Sequence, residues 1–444
     1  MKIIITGNIA AEGMSFTYMD TLKLANQWPN PERQQAMNMN RQYYHLPEYV
    51  KAWEETEDGT LILQRDYLDE IKSDCVVDNR VLNPAKFPEL NGIVPRSYQK
   101  KALIQIDNKE QGILEAPTGA GKTILGLILI IARGQRAVIL THSKALLEQW
   151  SDVIRKLIGI ESGIIGDGKW QEGELITVAM LQTLSKREEQ SLETAQDYGL
   201  VLVDECHHIP AKTFSKVISW FPGFYRHGLT ATPHRRDGLH QLIHRAVGPT
   251  IAKITSEEVE ASGGIVPLTV SVISTKFNPY QITDWSGFIA KLINDTDRNK
   301  LIAGIAEGAV KTMPVLILTD RIEHVAFIAE QMDSECLQIH GKLPTQERKN
   351  RMSVIHEHKV VIGTTGLLGE GLDVSCWQAL IMATPISGRV RLLQAIGRVL
   401  RPHDGKRRGY VADLVDDCAL SVSSYRKRLE IYEERGFELV RRAA

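Results

Sequence analysis

Short apolar runs that alternate with amphipathic stretches constrain the fold of this chain more than any other feature. From about Asn91 the runs GILEAPTG, AVILTHS, LITVAM and LVLVDE each end in small or polar residues, with helical stretches such as Lys144 to Leu157 between them. The alternation pauses through SEEVEASGGIVP, which reads as a linker, and resumes in VLILTD, CLQIHG, VVIGTT, ALIMAT and GYVADL. A strand apolar along its whole length is covered on both faces, and strands separated by helices pair in parallel. The expectation is an α/β fold: two parallel-sheet domains in tandem, over residues 91–255 and 256–444, preceded by a small α+β module at 1–90.

Composition narrows the class. With 444 residues, 43% hydrophobic and 24% charged, the chain has enough apolar surface to order two or three domains and is not expected to be disordered. The most apolar stretch, Ile124 to Ala132, is about half of the roughly 20 residues that cross a bilayer, so no membrane partner is expected. The apolar run at the N-terminus, Ile3 to Thr6, is too short for a secretory signal. Five scattered cysteines without a C-x-x-C pair argue against a disulfide framework or zinc ribbon and fit a reducing cytoplasm. Net charge is −1, so any nucleic-acid affinity must come from local positive field. Charge is uneven: residues 1–90 carry 9 Lys/Arg against 14 Asp/Glu, and residues 389–444 carry 13 against 8.

The sharpest local signal is Ala116-Pro117-Thr118-Gly119-Ala120-Gly121-Lys122-Thr123, which follows a strand and opens a helix. Gly119 and Gly121 let the backbone curl so that successive N–H groups face phosphate oxygens, and the helix N-terminus adds partial positive charge. Lys122 is placed to reach the β- and γ-phosphates of ATP, and the Thr123 hydroxyl to ligate Mg²⁺. Ala116 stands where the general pattern has its first glycine. Downstream, Val201-Leu202-Val203-Asp204-Glu205-Cys206-His207-His208 puts two carboxylates at the end of an apolar strand. In a phosphate-loop ATPase the first acid, here Asp204, holds Mg²⁺ partly through water, and the second, Glu205, orients or deprotonates the attacking water. Cys206 and His207 lack a second ligand pair at zinc spacing. His207 reads instead as a relay from the ATP site to Thr230-Ala231-Thr232.

These residues resemble the superfamily 2 DExH helicases and translocases, with motifs in order from about Pro95 to Leu414. The resemblance implies two RecA-like domains. Arg96-Ser97-Tyr98-Gln99 looks like the adenine-reading element, with Gln99 on the adenine edge. APTGAGKT and DECH are similar to motifs I and II, and Leu229-Thr230-Ala231-Thr232-Pro233 to motif III, which couples ATP to DNA through Thr230 and Thr232. Gly363-Thr364-Thr365 through Gly369-Glu370-Gly371-Leu372-Asp373 looks like motif V, with Gly371 and Asp373 reading ribose or transmitting closure. Gln394-Ala395-Ile396-Gly397-Arg398-Val399-Leu400-Arg401 matches motif VI. TPHRRDG, VGPTIAKIT, GGIVP and Asp297-Arg298-Asn299 resemble the XPB-type repair helicases and the UvsW-like branch-migration helicases of phages, and the compact size leans toward the latter.

An arginine finger is worth about 10³–10⁵ in rate. The expectation places Arg398 and Arg401 on one helix face at i, i+3, with Arg401 as the finger and Arg398 and Gln394 on phosphate or the motif II acids. Loops rich in hydroxyls and backbone N–H groups are expected to hold DNA phosphates. By resemblance these are Thr141-His142-Ser143-Lys144 with Gln149, and Thr177 with Gln182-Thr183, in the first domain, and Thr319-Asp320-Arg321, His340-Gly341 and Thr364-Thr365 in the second. The aromatics of the N-terminal module either stack on unpaired bases or pack a small core, and its net negative charge favours packing. Arg426-Lys427-Arg428 with Arg441-Arg442 reads either as a DNA contact or as the solvated face of a terminal helix.

The resemblance implies an ATP- and Mg²⁺-dependent DNA helicase acting on forks and four-way junctions, cytoplasmic, and monomeric or weakly associating. A duplex translocase or RNA helicase with the same engine is the alternative. A nucleotide-gated DNA-binding subunit without unwinding is a more distant one.

Overall fold

The computed structural model describes residues 1–71, 73, 75–206, 211–231, 239–280, 282, 284–368 and 374–443. Two compact units result, Met1–Pro117 with Gly121–Thr255, and Thr118–Ala120 with Ser256–Ala444.

The first unit is built on an eight-stranded sheet in the order Lys169–Gln171, Gly163–Gly166, Ile176–Met180, Ala137–Thr141, Leu200–Asp204, Tyr225–Thr230, Gln111–Glu115, Thr250–Lys253. Neighbours pair in parallel except in the Gly163–Gly166/Lys169–Gln171 hairpin. Ala137–Thr141 and Leu200–Asp204 are buried at every position, as strands covered on both faces must be. The covering helix Lys144–Ile158 starts where the Ser143 hydroxyl accepts from the Leu146 N–H (3.4 Å) and stops at Gly159, whose φ is 76°. Its Leu146, Leu147, Trp150, Ile154 and Ile158 recur at helical spacing and are buried, each large aliphatic contributing about 1.5–3 kcal/mol.

The second unit holds seven parallel strands in the order Leu337–Ile339, Val360–Thr364, Val315–Thr319, Ala379–Met382, Gly409–Val415, Leu268–Ser274, Glu438–Ala443. Both sheets are the expected RecA-like α/β type. Three strands had no clear apolar signature. Tyr225–Thr230 buries Arg226 and His227, Leu268–Ser274 alternates with hydroxyl residues, and Glu438–Ala443 is an edge strand with Arg441 and Arg442 exposed. The C-terminal arginines therefore do not share one helix. Arg426–Arg428 lie in the helix Ala419–Glu434, where Arg428 is buried and grips Asp413 at 2.7 Å, with the Tyr432 hydroxyl donating to the same carboxylate at 2.8 Å. Arg298 is likewise internal, ion-paired to Asp416 at 2.8 Å with both side chains fully buried. Beside it, His324 bridges Asn299 Oδ1 and Thr319 Oγ1, each at 2.8 Å.

The N-terminal module is a five-stranded sheet, Trp53–Glu55, Leu61–Leu63, Ile9–Glu12, Lys2–Ile5, Cys75–Asp78, antiparallel except for its last pair. The helix Phe16–Ala25 lays Met19 and Leu22 on it. Packing accounts for most of its aromatics. Trp28 lies against Val50, Ala52, Leu239 and Leu242, and the Trp53 indole donates to the Lys23 carbonyl at 3.0 Å. Tyr44 is exposed, stacked on Tyr43 at 4.5 Å.

This module is not a separable body. Arg226, fully buried in the first unit's sheet, donates to the carbonyls of Gly7 (2.8 Å), Ala246 (2.9 Å), Phe221 (2.9 Å) and Ile218 (3.3 Å). Arg65 of the module reciprocates, donating to the Gly223 and Phe224 carbonyls. Burial, then the charge of Arg80, pulls the Arg226 guanidinium down to about 9. Bridges Val81–Gly223 and Pro84–Gln135 tie the segment that follows the module's last strand to the rest of the first unit.

Two outcomes are expected. Arg226→Met leaves four buried carbonyls without their donor and lowers unfolding free energy by about 2–4 kcal/mol in denaturant titrations. Burial holds the His324 imidazole down to about 3, below its unfolded range. The unfolded chain therefore binds a proton that the folded chain refuses, and this residue's share of stability falls as pH drops below about 6.5. That share is about 2 kcal/mol between pH 7 and pH 5, and His324→Gln flattens the profile there.

Candidate functional site

The glycine-rich loop leaves the strand Gln111–Glu115 and enters the helix Lys122–Arg133. Gly121 caps that helix with φ 77°, in the left-handed region, and a Cβ there would meet Gln99 Nε2 at 2.8 Å. A glycine is required for both reasons. Gln99 is itself held, because its Oε1 accepts from the Arg96 N–H at 2.9 Å at the start of the helix Ser97–Asp107. Gln99, read as part of an adenine element, thus abuts the glycine read as part of the phosphate cradle. Thr123, half-buried, occupies the first turn of the loop's helix. Pro117 and Ala120 are buried, while Thr118 and Gly119 are half-buried.

Lys122 Nζ lies 3.3 Å from Glu205 Oε1 and donates to the Ala116 carbonyl at 3.4 Å. Glu205 has φ 46°, an uncommon conformation for a non-glycine residue, and its N–H donates to Asp204 Oδ1 at 3.0 Å. The other Asp204 oxygen accepts from the Trp150 indole at 2.8 Å. The sheet brings these groups together because its parallel strands end at the same edge, with Gln111–Glu115 and Leu200–Asp204 flanking Tyr225–Thr230. Burial first, and then the Glu205 carboxylate, push Asp204 up to about 6, while the Trp150 hydrogen bond and the charges of Lys122 and His142 oppose the rise. Two crowded carboxylates beside one lysine are an anionic pocket that suits a divalent cation, and a left-handed glycine cradle suits a phosphate chain.

Trp150 was not singled out from the sequence, although a buried indole N–H needs a partner and its helical spacing marked it as core. It reaches Asp204 only because residue 126 is glycine. A Cβ there would lie 2.8 Å from the Trp150 ring and 2.9 Å from Leu202.

Thr230 is buried at the end of its strand, and its carbonyl accepts from the Ala116 N–H at 2.8 Å, so the proposed coupling strand is hydrogen-bonded to the phosphate loop. His207, Thr232, Gly371 and Asp373 lie outside the described residues.

Several residues expected on DNA are interior. Thr141 and Thr177 are fully buried. The Thr177 hydroxyl accepts from the Tyr198 hydroxyl (2.8 Å) and the Gly173 N–H (3.0 Å), so it braces the core and presents nothing to a ligand. Thr365 is 3% exposed. The surface members are Lys144, ion-paired to Asp167 at 2.5 Å, and Gln182, which donates to the His142 carbonyl at 2.7 Å. His142, Ser143 and Thr183 are half-buried.

In the second unit a groove of about 480 Å³ collects Asp320, Arg321, Gly341 and Thr364 with Trp285 and Arg391, two residues not among the sequence candidates. His340 is half-buried outside its lining. Gln394 and Arg398 are buried on the helix Arg389–Leu400, and Arg401 is its C-cap with ψ 132°, so it leaves the helical path rather than sharing a face with Arg398.

Residues 92–235 match the family model described as type III restriction enzyme, res subunit, and residues 299–403 match the helicase conserved C-terminal domain. Together they cover more than half of the chain. The chain belongs to the superfamily 2 helicases. It is 26% identical to "Probable helicase D10" of Escherichia phage T5 over 82% of this chain and 80% of the relative. It is 24% identical to "ATP-dependent DNA helicase uvsW" of Enterobacteria phage T4 over 75% and 70% respectively. The fold is similar to that of S. cerevisiae Dbp5 bound to RNA and ADP BeF3, with TM-score 0.58 and 19% identity over 79% of this chain and 90% of that one. As a superfamily 2 helicase it is an ATP-dependent enzyme. Among the described residues no helix is long and apolar enough to cross a membrane.

Trp150→Phe removes a donor from Asp204 without emptying the core. ATP turnover is expected to fall about tenfold, and the acid limb of its pH profile to move up by about one unit.

Proposed function

We propose that this helicase hydrolyses ATP with Mg²⁺ to move along DNA and to unwind or branch-migrate forked and four-way junctions. The observation that carries the reading is the convergence of Lys122, Asp204 and Glu205 at one sheet edge, beside the left-handed Gly121 and the anchored Gln99. Within this site Gln99 reads the adenine edge, the loop N–H groups hold phosphate oxygens, and Lys122 turns from Glu205 to the terminal phosphates. Glu205 then orients the attacking water and takes its proton. Thr123 and Asp204 would hold Mg²⁺, which when bound would supply charge neutralisation at the phosphate oxygens. Arg401 is the arginine finger, and Gln394 and Arg398 act beside it. A DNA substrate is favoured by the likeness to the T4 relative, named as an ATP-dependent DNA helicase.

ATP turnover with Mg²⁺ is compared without nucleic acid, with single-stranded DNA, with a labelled four-way junction and with matched RNA. DNA stimulation with junction unwinding is expected. Stimulation without strand separation makes the protein a translocase, and stimulation by RNA alone replaces the substrate. Lys122→Ala abolishes turnover while DNA binding persists. Arg401→Ala retains ATP binding and loses about 10³-fold or more in turnover; a wild-type rate removes its role.

A further inference from the structure

We infer that Trp285 is a stacking platform for an unpaired base, set in the groove of the second unit. This rests on the DNA-helicase reading above. The helix Trp285–Asn294 buries Phe288, Ile289, Leu292 and Ile293 beneath it, yet its first residue stays 37% exposed. The indole leans on Phe288, with ring centroids 5.4 Å apart and planes at 50°, which supports one side of the ring without enclosing it. The helix start is capped by Asp284, which accepts from the Gly287 N–H at 2.8 Å, and its buried face holds the platform on the unit.

The rest of the groove fits a nucleotide strand. Arg321 is exposed. Arg391 has 44% of its side chain exposed and stands 3.7 Å from Asp320, too far for a hydrogen bond, which leaves its donors for phosphate. Gly341 and Gly366 line the same groove, neither has a positive φ, and a Cβ at either would meet no atom within 4 Å. The fold does not require glycine there, whereas close approach of a phosphate backbone does. An aromatic face beside two guanidinium groups and bare backbone is the combination that holds single-stranded nucleic acid without reading its sequence.

The test measures binding of the full chain to a labelled single-stranded DNA and to the same strand built from abasic residues, using wild type, Trp285→Phe and Trp285→Ala. Wild type is expected to bind the intact strand about tenfold more tightly than the abasic one. Trp285→Ala loses that margin on the intact strand and is unchanged on the abasic strand, while Trp285→Phe keeps most of it. DNA-independent ATP turnover stays normal in both variants, which excludes misfolding. An intact-to-abasic ratio in Trp285→Ala equal to that of wild type overturns the inference. So does a change confined to self-association in sedimentation, which would assign the face to a second copy. Wild type that binds no DNA at all overturns the helicase reading itself, and is distinguished by that absence.

Discussion

The parallel sheet is the constraint on which everything else depends. Strands such as Leu200–Asp204 and Val315–Thr319 are buried along their length, so polar chemistry is confined to the edge where their carboxyl ends emerge. Asp204, Thr230, Thr319 and Thr364 are all last residues of strands, and Lys122 enters from the loop that follows another. The sheet therefore converts distant sequence positions into neighbours. It also explains why strand hydroxyls such as Thr141, at the end of its strand, and Thr177, near the start of its own, turn inward: a residue of a covered strand must satisfy itself inside the fold.

Buried polar groups position this edge. Trp150 fixes Asp204, and the small Gly126 makes the approach possible. His324 fixes Thr319 through Asn299, next to the buried Arg298–Asp416 pair. Arg226 and Arg65 do the same on a larger scale by joining the N-terminal sheet to the first unit through backbone carbonyls. Each of these groups is costly to desolvate: Trp150 and His324 are met by partners at their ring nitrogens, whereas Arg226 and Arg65 have partners at both terminal nitrogens and, among the described residues, none at their buried Nε atoms. A rigid N-terminal module follows from this, since the docking contacts are buried rather than solvent-facing.

One helix links the two sites proposed for the second unit. Arg389–Leu400 carries Arg391 at the groove and Arg398 two turns later, about 10 Å along the same rigid element. A strand contact that shifts Arg391 therefore shifts Arg398 with it.

The α/β class, the tandem parallel sheets and the phosphate loop were legible in the sequence, because apolar runs and glycine spacing are local signals. Local pattern also placed Lys122, Asp204 and Glu205, since motif chemistry depends on residue type and strand ends. Tertiary structure alone decided which hydroxyls face solvent, that Arg401 departs from the helix bearing Arg398, and that Arg428 is internal. Only the folded chain joins Trp150 to Asp204, Arg226 to Gly7, and Trp285 to Arg321 and Arg391. The physical reason is the same for all: side chains far apart in sequence acquire partners and exposure from packing, and no local periodicity encodes which distant carbonyl or carboxylate a buried donor will meet.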